Sequence, residues 1–176
     1  LKGIIDIKNS NKIDKFSKLK IYKENQIKNS KDVFLLLCLG DIEKRKKIIN
    51  KLKNFQFFTL IHPSSYISPK AKIGNGCVIS PGVIIAGNPQ INDFNNLNFG
   101  SYISHDCILK KNNMLSPGTK IMGNCKIGEN NFFGVDSVII QNIKIGNNNI
   151  LGANCTLLKN IKNNKTLVGT PAREVK

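Results

Sequence analysis

The strongest constraint in this sequence is a period of six. From Ile67 to Leu157 an aliphatic or aromatic residue stands at every sixth position without a slip: Ile67, Ile73, Ile79, Ile85, Ile91, Leu97, Ile103, Leu109, Leu115, Ile121, Ile127, Phe133, Ile139, Ile145, Leu151 and Leu157. An amphipathic helix repeats its apolar residues at three and four, and a half-buried strand at two, so neither accounts for the spacing. Four residues after many anchors stands a small side chain, as at Ala71, Cys77, Val83, Ser101, Cys107, Thr119, Cys125, Ser137 and Cys155. Short strands joined by tight corners produce this pattern, and it predicts a β-solenoid of hexapeptide rungs. Gly-Asn pairs at 87–88, 123–124 and 146–147 suit such corners, because both residue types tolerate left-handed backbone angles. A single coil cannot bury its own anchors, so coils must stack into one continuous core.

Composition narrows the remaining choices. At 176 residues and 40% hydrophobic content, the chain can build one domain, or one plus a small companion. Nothing resembles a signal peptide and no apolar run is long enough to span a bilayer, so membrane insertion is not expected. Four of the five cysteines occupy the small inward slot of the repeat, where a free thiol packs as a small hydrophobe. Cys107 and Cys125 lie one proposed coil apart, and reduced thiols in a cytoplasmic protein are the expectation. No cysteine or histidine spacing resembles a zinc site, so no metal is expected. The net charge of +16 comes mainly from scattered lysines and brings no nucleic-acid motif with it. Nucleic acid is therefore not an expected partner, whereas phosphate-bearing small molecules suit a basic surface.

Residues 1–61 have a different texture. Gly3 to Ile7 is a short apolar run, and Val33 to Leu39 is a stronger one ending at Gly40. Asp41 can cap a helix with apolar positions at Ile42, Ile48, Ile49 and Leu52, and Phe57 to Ile61 reads as a further strand. Strand, helix and strand at this spacing predict a small parallel α/β unit over 1–61, followed by the solenoid over 62–176.

The repeat resembles the hexapeptide-repeat acyltransferases. The resemblance implies a left-handed parallel β-helix with three strands, hence eighteen residues, per coil. Residues 1–61 resemble the Rossmann-like nucleotide-binding domain that precedes the β-helix in sugar acetyltransferases of the bacillosamine and sialic-acid pathways. In that family a Gly-rich loop after the first strand offers a helix amino end to phosphate. This chain begins at Leu1, and Leu1 to Asp6 resembles the family's second strand, so a truncated α/β domain is expected. Asp6 and Gly40 align with positions that contact the nucleotide, and they read equally well as strand-end turn residues.

The segment Ser101-Tyr102-Ile103-Ser104-His105-Asp106-Cys107 resembles the family's active-site coil, where a His followed by an acidic residue supplies the general base. His105 follows its anchor by two positions, where a side chain can leave the core near a corner. A neutral imidazole can accept a proton there. Asp106 orients or charges it only if the corner turns the two side chains together, since neighbours in a straight strand diverge. Eighteen residues on either side of His105 stand Gly87 and Gly123, which leave room beside the ring for a thioester. The resemblance makes the Gly123 N–H a donor to the oxyanion. Where many relatives carry a second His, this chain has Met114. His62, before Pro63, reads as a positional residue at the solenoid's entry.

Downstream, Gly134-Val135 and Gly152-Ala153 are eighteen apart and should stack. The resemblance lays the pantetheine arm of coenzyme A along such a face, and the glycines read equally well as residues that serve only the corners. Val168-Gly169-Thr170-Pro171-Ala172-Arg173 resembles the family's terminal signature, and Lys159 and Arg173 would meet coenzyme A phosphates. The resemblance implies a homotrimeric, acetyl-CoA-dependent acetyltransferase acting on a sugar or nucleotide-sugar, with N-acetylation of an aminosugar favoured. O-acetylation, or an inactive scaffold, uses the same framework. A γ-class carbonic anhydrase needs three histidine ligands per site, and this chain has two histidines in all.

Overall fold

The computed structural model describes residues 4–5, 21–22, 26–27 and 32–175. The chain divides into two compact units, 1–33 and 34–176. In the first, β1 (Ile4–Ile5) pairs in parallel with β2 (Ile21–Tyr22). The second begins with β3 (Phe34–Leu35), α1 (Ile42–Lys51) and β4 (Gln56–Phe57), and β3 and β4 are parallel, as the strand-helix-strand spacing predicts. Asp41 caps α1 by accepting the Lys44 N–H at 2.9 Å. Alongside the half-buried isoleucines, α1 buries a charged residue completely: Arg45 is 0% exposed.

The expected strand from Phe57 to Ile61 is in fact two. Gln56–Phe57 belongs with β3, whereas Leu60–Ile61 pairs with Val78–Ile79 in the solenoid. The chain changes sheets at Thr59, whose hydroxyl donates to the Gly74 carbonyl at 2.7 Å and accepts the Cys77 N–H at 3.2 Å. From there two-residue strands follow one another at six-residue intervals. Each pairs in parallel with the strand eighteen residues on, as in Ile85↔Ile103↔Ile121. The result is a left-handed parallel β-helix of about seven turns, with three faces and three corner columns.

The first face runs from Leu60–Ile61 to Thr166–Val168, with an antiparallel closing strand, Arg173–Glu174. Tyr66–Ile67 begins the second face and Lys72–Ile73 the third. The second residue of nearly every strand points inward, and from Ile79 to Leu157 these anchors are all at most 4% exposed. Burying one such side chain contributes about 1.5–3 kcal/mol. The last coil is two residues shorter: Ile145 bridges Ile161 and Leu151 pairs with Leu167, both sixteen apart.

The outward positions differ sharply between faces. The first face shows Leu60, Val78, Asn96, Met114, Phe132, Ile150 and Thr166, with no charge. The second shows Tyr66, Ile84, Tyr102, Lys120, Val138 and Thr156. The third shows Lys72, Gln90, Ile108, Lys126 and Lys144.

Corners turn through a left-handed residue, as at Gly87 (φ 74°), Asp106 (φ 58°), Asn124 (φ 57°) and Asn142 (φ 65°). The 146–147 pair departs from its expected role: the left-handed residue is Asn148. Gly146 is needed for a different reason, because a Cβ there would lie 2.8 Å from the Lys162 carbonyl carbon.

The inward corner slots hold the small residues, but one column is polar. Asn95, Asn113, Asn131 and Asn149, each 0% exposed, form a ladder between the third and first faces. Asn131 donates from Nδ2 to the Asn113 side-chain oxygen at 2.9 Å, and Asn149 does the same to Asn131. The same oxygens accept the N–H groups of Asn131 and Asn149. Cys107 and Cys125 stack in the adjacent column as free thiols and donate to the carbonyls of Met122 and Ile140, each at 3.1 Å. Burial pushes the Cys77 thiol up to about 11.

Candidate active site

The corner between the second and third faces carries the histidine. Asp106 takes a left-handed conformation, and this turns its side chain back onto its neighbour: His105 Nδ1 lies 2.9 Å from Asp106 Oδ2. A carboxylate only accepts, so Nδ1 carries the hydrogen and Nε2 of the neutral ring is left with a free lone pair. Hydrogen bonds from His105 and then Asn88 hold the Asp106 carboxyl below the usual carboxylate range. Both side chains remain solvent-accessible, His105 at 63% and Asp106 at 55%.

Glycine above and below is what allows this ring position. A Cβ on Gly123 would fall 2.6 Å from both Nε2 and Cε1 of His105, so the imidazole itself fills the space expected to stay open for a thioester. Room for a substrate therefore lies outward from the ring. A Cβ on Gly87 would meet His105 Cβ at 2.6 Å and Cα at 2.8 Å, from a backbone with φ 74°. The Gly123 N–H has no backbone acceptor among the described residues.

Asn88 is a participant that the sequence reading missed. Its side-chain oxygen accepts the Asp106 N–H at 3.2 Å from the coil before, which secures the left-handed corner. The signal was available, since Asn88 precedes Asp106 by eighteen residues, but only the glycines were traced through the coil. Arg45 was also missed, although its spacing from Ile42, Ile49 and Leu52 places it on the apolar face of α1. It donates from Nη2 to the Phe94 carbonyl at 2.7 Å, from Nε to Asn112 at 3.0 Å, and from Nη1 to the carbonyls of Leu39 and Leu37 at 3.1 and 3.3 Å. Burial pushes its guanidinium down to about 10, still charged at neutral pH. These bonds tie α1 to the solenoid, where Phe94 sits at φ 61° with its ring 4.9 Å from Phe57. A bulky residue in that region is strained and needs such support.

The remaining expected site residues fall elsewhere. Gly134-Val135 and Gly152-Ala153 stack at the corner between the first and second faces, across the second face from His105. A Cβ on Gly134 would lie 2.5 Å from the Gly152 carbonyl carbon and the Ala153 nitrogen, so coil stacking requires that glycine by itself. Met114 is half-buried on the first face between Asn96 and Phe132. Lys159 and Arg173 are exposed in the last coil and closing strand. Gly40 stands just before the α1 cap with nothing near its Cα, and Asp6 lies outside the described residues. His62 closes the entry turn, where its Nδ1 accepts the Ser64 N–H at 3.2 Å. Among the described residues, no three His, Cys, Asp or Glu side chains converge, and no helix is long and apolar enough to cross a membrane.

Comparison with known proteins agrees with this architecture. Residues 58–87 and 124–159 match the bacterial transferase hexapeptide family (six repeats). The unmatched stretch between them, which includes His105, continues the same coil register. Over the matched segments the chain is similar to that family, and its fold is the β-solenoid that hexapeptide repeats build. Over 49 residues it is 43% identical to GDP-perosamine N-acetyltransferase from Escherichia coli, a match spanning 28% of this chain and 22% of that protein's length. It is similar to the structure of a histidine mutant of perosamine N-acetyltransferase from Caulobacter crescentus in complex with CoA and GDP-perosamine, at 26% identity and a TM-score of 0.83, covering 90% of this chain and 78% of that one. The acetyltransferase domain of PglB from Neisseria gonorrhoeae shares the fold, with a TM-score of 0.89 at 24% identity, over 98% of this chain and 86% of that one.

Proposed function

We propose that this chain is an acetyltransferase that moves the acetyl group of acetyl-CoA to the amine of a nucleotide-linked aminosugar. The observation that carries the reading is the His105 ring, held at Nδ1 by Asp106 and presenting Nε2 beside Gly123. The amine attacks the thioester carbonyl as Nε2 takes its proton, the carbon–sulfur bond breaks, and the imidazolium returns the proton to the leaving thiolate. The Gly123 N–H is suited to bind the oxyanion, an interaction whose loss typically costs about 10²–10³ in rate. The similarity to perosamine N-acetyltransferase bound to CoA and GDP-perosamine supports both substrate classes.

In this reading Gly134, Val135, Gly152 and Ala153 line the pantetheine arm, and Lys159 and Arg173 meet its phosphates. Asp6 and Gly40 contact the nucleotide, within an α/β region over 1–61 that precedes the β-helix, and Met114 borders the acceptor. His105 and the Gly134–Gly152 stack lie on different corners of one chain, and this supports a site completed by a neighbouring copy in a cytoplasmic homotrimer. The test is an assay with acetyl-CoA against UDP-, GDP- and CMP-linked aminosugars, read by product mass. Transfer to at least one amine, lost in His105→Ala, is expected. No transfer to any of them, or an unimpaired variant, defeats the reading.

A further inference from the structure

The solenoid's charge is segregated by face, and the catalytic reading makes no use of it. The first face carries outward charge only on its closing strand, Arg173–Glu174, and the second only at Lys120. The third shows Lys72, Lys126 and Lys144 from its strands, with Lys110, Lys111 and Lys162 at its edge toward the first face, and all six are exposed. Lys126 and Lys144 are direct register partners. Like charges so placed repel and weaken the pairing. Among the described residues only Lys111 of the six has an acidic partner, Glu129 at 4.0 Å. A face that tolerates this repulsion, and carries a third lysine beyond two intervening strands, is complementary to an extended anion.

We propose that the third face docks on an anionic lipid bilayer surface, holding the protein at a membrane without insertion. The lysines do not converge on a point, as a small phosphate site requires, but spread over about 20 Å of rigid sheet at about 4.8 Å per strand. No aromatic residue stands among its outward strand positions to stack a base, and no helix projects from them into a groove, which disfavours nucleic acid. A planar array of flexible ammonium groups fits a plane of headgroup charge, and each lysine adds about fivefold to partitioning.

The test is flotation of the full chain with vesicles of neutral phosphatidylcholine, or of phosphatidylcholine with about one third phosphatidylglycerol, at near-physiological salt. Binding to the anionic vesicles alone is expected. Lys72→Glu, Lys126→Glu and Lys144→Glu combined should lower it about a hundredfold or more. The milder Lys→Gln triple guards against misfolding and, at about fivefold per lysine, should itself lower binding about a hundredfold. Lys44→Glu, Lys47→Glu and Lys53→Glu, an equal charge change on α1 and just beyond it, should leave most of the binding. Equal loss in both triples, no loss in either, equal binding to neutral vesicles, or preferential capture of an RNA or DNA duplex in competition would each overturn the proposal.

Discussion

Two corner columns of this solenoid are built on the same backbone and put to opposite uses. Between the third and first faces, asparagines occupy the buried slot and bond to one another coil after coil, while Arg45 seals the outside against Phe94 and Asn112. The buried polar groups of that column are spent on the protein itself. Between the second and third faces, Cys107 and Cys125 fill the buried slot of the two coils around the site, and the outer positions hold glycine, histidine and aspartate. There the polar side chains face solvent, and His105 Nε2 has no hydrogen-bond partner among the described residues. The contrast teaches that the hexapeptide corner is a neutral frame. What distinguishes a stabilising column from a reactive one is whether its side chains point inward at each other or outward at a ligand.

Five substitutions break or sharpen that contrast. The largest effect is expected at the reactive corner, where His105→Ala should lower kcat by about 10²–10⁴ with Tm within about a degree of the parent. A steady-state assay beside a thermal melt checks both halves. At the stabilising corner the pattern should invert. Asn131→Ala strands two donors of Asn149 in a dry interior and should cost about 3 kcal/mol in denaturant unfolding, with kcat of the folded fraction little changed. A large kcat loss there at constant stability would erase the distinction.

The two glycines flanking His105 separate space from backbone. Gly123→Ala meets only the far end of a side chain that can swing aside, so about a tenfold to hundredfold loss of kcat at unchanged Tm is expected. Gly87→Ala meets the His105 backbone from a left-handed position and should cost about 1–2 kcal/mol of stability as well. The smallest effect is expected at His62, where alanine loses only a turn contact and kcat should stay within about threefold.

Much of the fold was legible because its cause is local and repeated. Each rung independently demands an inward anchor and a small corner residue, and sixteen agreeing rungs leave no other regular structure. Asp41 as a helix cap was readable for the same reason, since the bond it makes spans three residues. The candidate site was legible in part. Reading eighteen residues either side of His105 found Gly87 and Gly123, yet not that the ring lies against Gly123, nor that Asn88 braces Asp106.

What the sequence by itself determined, then, is the coil: its period, its buried anchors and the register that stacks His105 between two glycines. Only the tertiary structure decided the rest. Arg45 stands on the apolar face of α1, where a guanidinium can be buried only because acceptors lie ready, and its partners in the solenoid are 49 and 67 residues away. The break at Thr59 depends on the Gly74 carbonyl and the Cys77 N–H, both contributed by the next coil. The His105–Asp106 contact exists because a left-handed aspartate turns two diverging side chains onto each other. Periodicity along a chain records which residues face inward. Hydrogen bonds between coils depend on distances across the chain, and no local pattern encodes those.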